Sequence, residues 1–449
     1  MIRLPCAMSL DYVEGFVRLD AARLAQGGAL YGDPSQVPWT VHPYTPVYTA
    51  LVAAVDGLGR GVAAARGIAY AAILATALLI GLTGQRRTGL VAWGVAALYL
   101  TQPLFATWGA LARPDSLAVL FSALGVVIVG RYAGGRGVLW ALPLFLFAGL
   151  TKQSVGAGLL ASLLYLLVES PRQVLPFLLL GALGGGAAVL ALQLGSGGWF
   201  WFHTVEANLN RFNWEQLWAL EKLFAGSHWP ALVVGSVVLI LLVRRRRFPL
   251  FGLWFVVASL STLSGVKVGA NLNYFFEALA ALAFLIAREF PVHLADRLTR
   301  RGRIATPILI ACVAVIMAIA NLDVHRRSNL HVKEADQIFL DVVEKIGSQE
   351  GPMISDDAAI LVHSGKPLLF RPFIMTQLAK AGIWDQQPLV NALEQGTIPY
   401  VIFRSHPPAI HQDRYTPEMR AALKRYYQRV GNYVLAFPYE VHAPVSVVR

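Results

Sequence analysis

The residues best suited to chemistry lie at the ends of long apolar runs. Asp11 and Glu14 stand in the stretch SLDYVEGF, before any run that could cross a membrane. Arg113 and Asp115 follow in ALARPDSLA, and Lys152 follows in LTKQSVG. A carboxylate in a partly desolvated pocket suits a general base, whereas arginine and lysine suit the binding of a phosphate. These residue types predict a site that combines proton transfer with anion binding.

Three more polar residues lie beside apolar runs. Gln153 follows Lys152, and Asn273 and Glu277 stand in the stretch GANLNYFFEALA. Asn273 and Glu277 are four residues apart, which places them on one face of a helix. A charged group at the bilayer centre costs about 2.5–3.5 kcal/mol, so such groups usually face a cavity or a partner.

Each of these residues also has a structural interpretation. Arg113 and Asp115 can pair at the level of the lipid headgroups, and Lys152 can cap the carboxyl end of a helix. Asn273 and Glu277 can join neighbouring helices by hydrogen bonds. These alternatives stay open at the level of the sequence.

The composition is that of a membrane protein. Of the 449 residues, 56% are hydrophobic and 14% are charged, and the mean hydropathy is +0.54. A soluble domain carries about 25% charged residues. The net charge of +12 could indicate a nucleic-acid partner, but most basic residues stand in short loops between apolar runs, so no nucleic acid is predicted.

Ten apolar runs are long enough, or nearly so, to cross about 30 Å of hydrocarbon. They lie at about 63–84, 89–105, 116–133, 137–151, 153–169, 174–195, 229–243, 248–265, 270–288 and 303–321. We therefore predict a mainly α-helical protein whose core is a polytopic transmembrane bundle of about ten helices.

The loop charges predict the orientation of this bundle. One set of loops is rich in arginine and includes Arg86, Arg131, Arg172, the run 244–247 and Arg288. By the positive-inside rule this set is cytoplasmic. The N-terminal segment, the loop at 196–228 and the C-terminal tail are then expected on the extracytoplasmic face of the cell membrane.

We divide the chain into three parts. Residues 1–62 are expected to form an extracytoplasmic segment with two amphipathic helices, in SLDYVEGFVRLDAARLAQGG and in YTALVAAVDGLG. The i,i+3 spacing of Asp11 and Glu14 is expected to place both carboxylates on one face of the first helix. Alternatively, this face is simply solvated. Residues 63–323 form the transmembrane core, and residues 324–449 form a small extracytoplasmic α/β domain.

The predicted C-terminal domain combines helices and short strands. HVKEADQIFLDVVEKIG is helical in pattern, and PMISDD and PYVIFRS are typical of strands. TPEMRAALKRYYQRVGNY is predicted to be a helix that begins at Thr416, with Pro417 in its first turn. Asp356 and Asp357 are expected in a turn or helix cap, with a metal site as the weaker alternative. The chain has no GxGxxG, GxxxxGKS, HExxH, GxSxG or CxxC motif.

The order of these motifs resembles a known superfamily. An acidic pair, then GGALYGDPSQVPWTVHPYTPVY, ARPDSLA, LTKQS and NLNYFFEALA, resembles the GT-C polytopic glycosyltransferases, in particular the branch with protein O-mannosyltransferases and lipid A aminoarabinose transferases. In that family the first extracytoplasmic loop carries a catalytic acidic residue, which matches Asp11 with Glu14. The stretches from Gly28 to Tyr31 and from His42 to Tyr48 match its other motifs. The resemblance covers about residues 9–323, and the tail resembles the small extracytoplasmic domain of such chains.

The resemblance implies transfer of a sugar from a polyprenyl-phosphate donor to an acceptor hydroxyl at the outer leaflet. Asp11 would deprotonate the acceptor, and Glu14 would position the acceptor or support Asp11. Arg113 and Lys152 would hold the departing phosphate. Substrate contacts are expected from six further residues: His42, Tyr44, Asp115, Gln153, Asn273 and Glu277. For His42, which stands in a loop, a purely structural role is the alternative.

The resemblance also sets expectations for partners and metal. The acceptor is a lipid, a glycan or a protein, and membrane lipids surround the bundle. Some relatives use a divalent metal, but the sequence shows no convincing ligand set, so no metal site is predicted. Family members carry a transmembrane helix ahead of the acidic residue, whereas ten residues precede Asp11. Either a first helix lies upstream of Met1 or this chain lacks one.

Two other functions compete with this interpretation. A transporter or flippase of lipid-linked sugars would use the same ligand, but the sequence shows no inverted repeat and no pair of broken helices. A non-catalytic membrane scaffold whose tail binds a partner would not require Asp11. The sequence therefore favours the enzyme over the transporter and the scaffold.

Overall fold

The fold is taken from a computed structural model of the chain. The structure describes residues 4–56, 61–109, 111–246, 248–290, 334–405, 414–435 and 437–445. It also describes Ile319 and Val332 as single residues.

Most of the described chain is helical. The helices before residue 291 are α1 Tyr12–Ala25, α2 Pro46–Asp56, α3 Gly61–Thr88, α4 Leu90–Leu100, α5 Pro103–Trp108, α6 Asp115–Tyr132, α7 Ala141–Thr151, α8 Ala157–Glu169, α9 Pro171–Gly195, α10 Trp199–Thr204, α11 Trp214–Arg244, α12 Leu250–Ser261 and α13 Phe276–Glu289. Short 3₁₀ turns lie at Arg136–Trp140, Glu206–Asn208, Thr262–Val266 and Leu272–Phe275. Within the described ranges, α3, α6, α9 and α11 are long and apolar enough to cross a membrane.

The predicted apolar runs correspond to these helices. The run predicted at 89–105 is divided into α4 and α5, and the run at 229–243 is the second half of the longer α11. The runs at 248–265 and 270–288 each combine a 3₁₀ turn with a helix. The run predicted at 303–321 lies outside the described residues, apart from Ile319.

Helix α13 is the centre of the bundle. Every residue from Phe276 to Ala287 is buried, as expected for a helix that, apart from Glu277, is apolar on all sides. Trp254 of α12 packs on Phe284 with the ring centroids 5.5 Å apart. The helix ends where Arg87 pairs with Glu289 at 3.1 Å. One end of the bundle therefore carries arginines, and the polar residues of interest lie at the other end.

Helix α1 forms where the sequence predicts it. Asp11 is its N-cap and its side chain accepts a hydrogen bond from Val13 N at 3.2 Å. The helix ends before Gly27, whose φ of +81° favours glycine. The second predicted amphipathic helix is α2.

The C-terminal part of the chain combines helices with a four-stranded sheet. Its helices are α14 at 334–347, α15 Ala358–His363, α16 Pro372–Lys380, α17 Gln387–Glu394 and α18 Pro417–Tyr426. Its strands are β1 Met353–Ser355, β2 Tyr400–Arg404, β3 Tyr427–Val434 and β4 Pro438–Pro444, and they pair in the order β1-β2-β4-β3. Only the β1–β2 pair is parallel.

One secondary-structure prediction is wrong in this part. The helix predicted to begin at Thr416 ends at Tyr426, and the following YQRVGNYV is strand β3. This segment pairs antiparallel with β4 along its whole length. Strand β4 supplies hydrogen-bond partners to this segment, and this long-range pairing outweighs the segment's local preference for a helix.

The N-terminal segment packs directly on the C-terminal part. Cys6 and Met8 share a core with Phe339 and Val441. Gly15 of α1 contacts the backbone of α15 so closely that an added Cβ would lie 2.3 Å from Ala359 N. The start of the chain is therefore held between the helical bundle and the C-terminal sheet.

Asp357 allows a prediction about stability and pH. It caps α15 by accepting a hydrogen bond from Ala359 N at 3.0 Å, and burial raises its pKa to about 6. Because the folded carboxyl binds its proton more tightly than the unfolded one, its contribution to stability falls as the pH rises from about 4 to 6, and stays low above that. Asp357→Asn keeps a capping oxygen. We expect it to be more stable than the wild type at pH 7, by about 3 kcal/mol, and equally stable at pH 4.

Thermal unfolding in detergent between pH 4 and 8 measures this difference. A lower melting temperature for Asp357→Asn at pH 7 would show that the ionised carboxylate is favourable in the fold.

Candidate active site

A polar cavity of about 400 Å³ lies where α1, the start of α6, the turn between α7 and α8, and the C-terminal part meet. Asp11 is the carboxylate in its lining, whereas six lining residues carry positive charge. These cations are Arg113, Lys152, Lys267, Arg371, Arg404 and Arg414. A lining with this balance of charge favours an anionic ligand.

Asp11 lies at the wall of this cavity. Its Oδ2 accepts hydrogen bonds from Val13 N and from Arg113 Nη1, the latter at 2.5 Å. In the described part of the chain both bonds use Oδ2, so Oδ1 is the oxygen available to accept a proton from a ligand. The side chain is about one-fifth exposed, which fits a base that contacts a ligand.

Arg113, Asp115 and Lys152 continue from Asp11 as a row of alternating charges. Arg113 Nε lies 3.5 Å from Asp115 Oδ2, and Lys152 Nζ donates to Asp115 Oδ1. Asn273 Nδ2 also donates to Asp115 Oδ1, at 2.8 Å. Aromatic rings flank both cations, because Arg113 lies 5.0 Å from the Trp108 ring and Lys152 lies 4.7 Å from that of Tyr274. Asp115 thus holds the two cations at fixed positions beside Asp11.

Tyr44 lines the cavity, whereas His42 lies behind it. His42 Nδ1 lies 2.7 Å from Asp20 Oδ2, and its backbone N–H donates to His203 Nδ1 at 2.9 Å. His203 Nε2 in turn lies 2.7 Å from Gly32 O. This arrangement requires neutral His203 with its proton on Nε2, and burial lowers the pKa of His203 to about 4. The buried network holds the segment that carries Tyr44.

Gln153 and Asn273 occupy different positions relative to the cavity. Gln153 is exposed, and its Nε2 donates to Pro43 O at 2.7 Å and to Thr204 O at 2.9 Å, so it ties the segment at Pro43 to the end of α10. Asn273 lines the cavity and contacts Asp115. Lys152 is also the C-cap residue of α7, which agrees with its structural interpretation.

The structure places Glu14 away from the ligand side of the wall. It is completely buried and pairs with Arg66 of α3, with Oε2 and Nη2 2.8 Å apart. It is not among the residues that line the cavity. The two carboxylates of SLDYVEGF therefore have separate surroundings.

Glu277 is buried behind Lys152 and joins four helices. Its Oε1 accepts hydrogen bonds from Ser122 Oγ at 2.7 Å, Gly158 N at 2.9 Å and Trp254 Nε1 at 3.1 Å. Gly158 lies in the first turn of α8, whose N-cap residue, Gly156, makes no side-chain capping bond. Glu277 thus supplies the cap of α8 from α13, as its interhelical interpretation expects.

This contact predicts a graded response to substitution. Glu277→Ala leaves four donors without an acceptor, namely the three that bond to Oε1 and Ala157 N at 3.4 Å from Oε2. Each such loss costs about 1–3 kcal/mol. Glu277→Gln retains an oxygen for these donors, so we expect its loss of stability to be much smaller. Thermal unfolding of both variants in detergent measures the difference. Equal melting temperatures for Ala and Gln would show that the oxygen is not needed.

Several cavity residues were not predicted from the sequence. Arg371, Arg404 and Arg414 come from the C-terminal part, where arginines are ordinary surface residues. Arg371 reaches the cavity because Trp39 and Phe370 form a parallel β-bridge. Its Nη1 donates to Asp20 at 3.0 Å, and the charges of His42 and Arg371, acting against burial, lower the pKa of Asp20. No local pattern in the sequence signals these contacts.

The described residues contain no group of three or more His, Cys, Asp or Glu side chains that could hold a metal ion. The carboxylates of this region face cations, since Arg113 donates to Asp11 Oδ2 and Lys152 donates to Asp115 Oδ1.

Comparison with known proteins identifies the fold. The chain matches no protein-family model and no curated protein. It is similar to the solved structure of ArnT from Cupriavidus metallidurans bound to undecaprenyl phosphate, with a TM-score of 0.67 at 14% identity over 99% of this chain and 96% of that one. The apo state of the same protein gives a TM-score of 0.66 at the same identity and coverage.

A second protein is similar over a smaller part of its length. The oligosaccharyltransferase of Archaeoglobus fulgidus, in complex with Zn and sulfate, gives a TM-score of 0.51 at 14% identity over 99% of this chain and 72% of that one. At this identity the likeness shows the fold alone. Together with the apolar helices, it shows that the chain is an integral membrane protein with the fold of these two solved structures.

Proposed function

We propose that this chain is a membrane glycosyltransferase that moves a sugar from a polyprenyl-phosphate donor to an acceptor hydroxyl. The observation that carries the proposal is one cavity in which Asp11 lies beside Arg113 and Lys152. A base and a phosphate-binding pair are the two components that such a transfer requires. The match to ArnT bound to undecaprenyl phosphate supports a lipid-phosphate ligand in this fold.

In the proposed reaction, the acceptor oxygen attacks the anomeric carbon of the sugar while the bond from that carbon to the phosphate oxygen breaks. Asp11 Oδ1 takes the proton of the acceptor hydroxyl. The lipid phosphate leaves with the bonding electrons. Arg113 and Lys152 stabilise the negative charge that grows on the phosphate, because preformed cations in a partly dry cavity need little reorganisation.

The other residues predicted for the site have supporting roles in this proposal. Tyr44 and Asn273 contact the substrates, and Asp115 keeps Lys152 and Arg113 apart at a fixed spacing. His42 and Gln153 hold the segment that carries Tyr44, because His42 in that segment is bonded to Asp20 and Gln153 donates to Pro43 O. The cavity faces the outer leaflet, which is supported by the arginine-rich loops at the opposite end of the bundle.

A transfer assay tests the proposal. Membranes with the chain receive a radiolabelled polyprenyl-phosphate sugar and a lipid, glycan or peptide acceptor. We expect a glycosidic product and release of polyprenyl phosphate. Movement of labelled lipid across the bilayer without such a product would favour the transporter. If neither a product nor movement of lipid is detected, the scaffold is favoured.

Labelling of introduced cysteines tests the orientation. Gln395 and Arg86 are both exposed, and they lie on opposite sides in our proposal. In intact cells an impermeant thiol reagent should label Gln395→Cys, whereas Arg86→Cys should react only after permeabilisation. The reverse pattern would overturn the proposed face.

A further inference from the structure

The Glu14 carboxylate makes four hydrogen bonds in a completely buried position. Its Oε1 accepts from Ala112 N at 2.7 Å and from Arg66 Nε at 2.9 Å. Its Oε2 accepts from Leu10 N at 2.7 Å and from Arg66 Nη2 at 2.8 Å. All four partners are donors, so only an ionised carboxylate satisfies them together.

The two backbone donors are neighbours of the residues that meet in the cavity. Leu10 directly precedes Asp11, and Ala112 directly precedes Arg113. Asp11 and Arg113 are themselves joined at 2.5 Å. One buried carboxylate therefore bonds to the backbone next to both Asp11 and Arg113.

Arg66 holds Glu14 in this position and fixes the chain ahead of Asp11. Its Nη1 donates to Cys6 O at 2.6 Å and its Nη2 to Met8 O at 2.8 Å. Arg66 lies in the apolar α3 and is completely buried, so its charge is costly to place there. A buried pair of this kind is weak evidence for added stability, which favours a role in geometry.

We propose that the Glu14–Arg66 pair is a positioning unit that sets the contact between Asp11 and Arg113. Neither side chain lines the cavity, so the pair acts through its neighbours and not on the substrates. The role in transfer rests on the proposed function. The fixing of the two backbone segments does not, and it can be measured separately.

The first measurement uses hydrogen exchange of the protein in detergent. Glu14→Gln replaces one acceptor oxygen by a donor group, so a backbone N–H at 10 or 112 loses its bond. We expect at least tenfold faster exchange in the peptide that covers this N–H, either residues 5–14 or residues 108–114. Glu289→Gln is the matched control, because Glu289 pairs with Arg87 at the other end of the bundle. Unchanged exchange in both peptides would overturn the inference, whether or not the chain catalyses transfer.

The second measurement compares transfer rates at saturating donor. We expect Glu14→Gln and Arg66→Lys each to lower kcat at least tenfold, because small displacements of reacting groups cost about this much or more. Phe284→Leu, a destabilised core variant on α13, controls for loss of stability and should keep its kcat. An inactive wild type would overturn the proposed function, whereas the fixing of the two backbone segments would still be judged by hydrogen exchange. An active wild type with fully active Glu14→Gln and Arg66→Lys would overturn the positioning role.

A double substitution separates positioning from general structural damage. Arg113→Lys removes the guanidinium whose place Glu14 helps to set. If the pair acts through that contact, adding Glu14→Gln to Arg113→Lys lowers kcat less than adding it to the wild type. An equal reduction in both backgrounds would contradict the proposal.

Discussion

Asparagine in place of Asp11 is expected to lower the transfer rate by about 10²–10⁴-fold, the usual contribution of a general base. The amide oxygen can still accept the capping bond from Val13 N, so α1 should form as before. What is lost is the group that, in the proposed reaction, takes the proton from the acceptor. Single-turnover rates with a radiolabelled donor measure the effect on chemistry.

The affinity of Asp11→Asn for the lipid phosphate is not expected to fall with its transfer rate. Arg113 loses its competing anion in Asp11→Asn, so polyprenyl phosphate should bind equally well or more tightly. Asp33→Asn is the control, since Asp33 stands in the same N-terminal segment and is absent from the cavity lining. Transfer by Asp11→Asn at the wild-type rate would remove Asp11 from the role of base.

The sequence identifies those site residues whose charge is energetically costly at its position in the chain. Arg113, Asp115 and Lys152 stand at the ends of apolar runs, where a charge needs a partner or a cavity, and the structure brings them together. The bundle itself was predictable for the same reason, because long apolar runs have few alternatives to membrane helices. Local composition is sufficient for both conclusions.

The position of Glu14 shows where helical spacing fails. An i,i+3 spacing places two side chains on one face only if both residues are helical. Asp11 is the N-cap, with φ of −144° and ψ of 150°, so its side chain points in a direction unrelated to that of Glu14. Arg66 was detectable as a lone cation at the start of an apolar run, but nothing local indicated its partner.

The C-terminal arginines and strand β3 depend on long-range contacts. Arg371 enters the cavity through a bridge between Trp39 and Phe370, more than 300 residues apart. Strand β3 forms because β4 pairs with it. Such contacts are set by the whole chain, and a single sequence carries no local sign of them.

Lys152→Met should weaken binding of the lipid phosphate by about 10- to 100-fold, because a hydrogen bond to a charged group is worth about 1.5–3 kcal/mol. It should also destabilise the fold, since Asp115 is buried and loses its lysine. Removal of one partner of a buried pair costs about 3–5 kcal/mol. Equilibrium binding of polyprenyl phosphate and thermal unfolding measure the two effects independently.

Adding Asp115→Asn to Lys152→Met separates the binding of phosphate by Lys152 from its pairing with Asp115. The double variant has no buried charge without a partner, and its amide can still bond to Asn273, so we expect most of the stability to return. Lipid-phosphate binding should stay weak, because the cation is still missing. If the double variant instead binds polyprenyl phosphate as tightly as the wild type, then Lys152 serves only to neutralise Asp115, and other cations of the lining hold the phosphate.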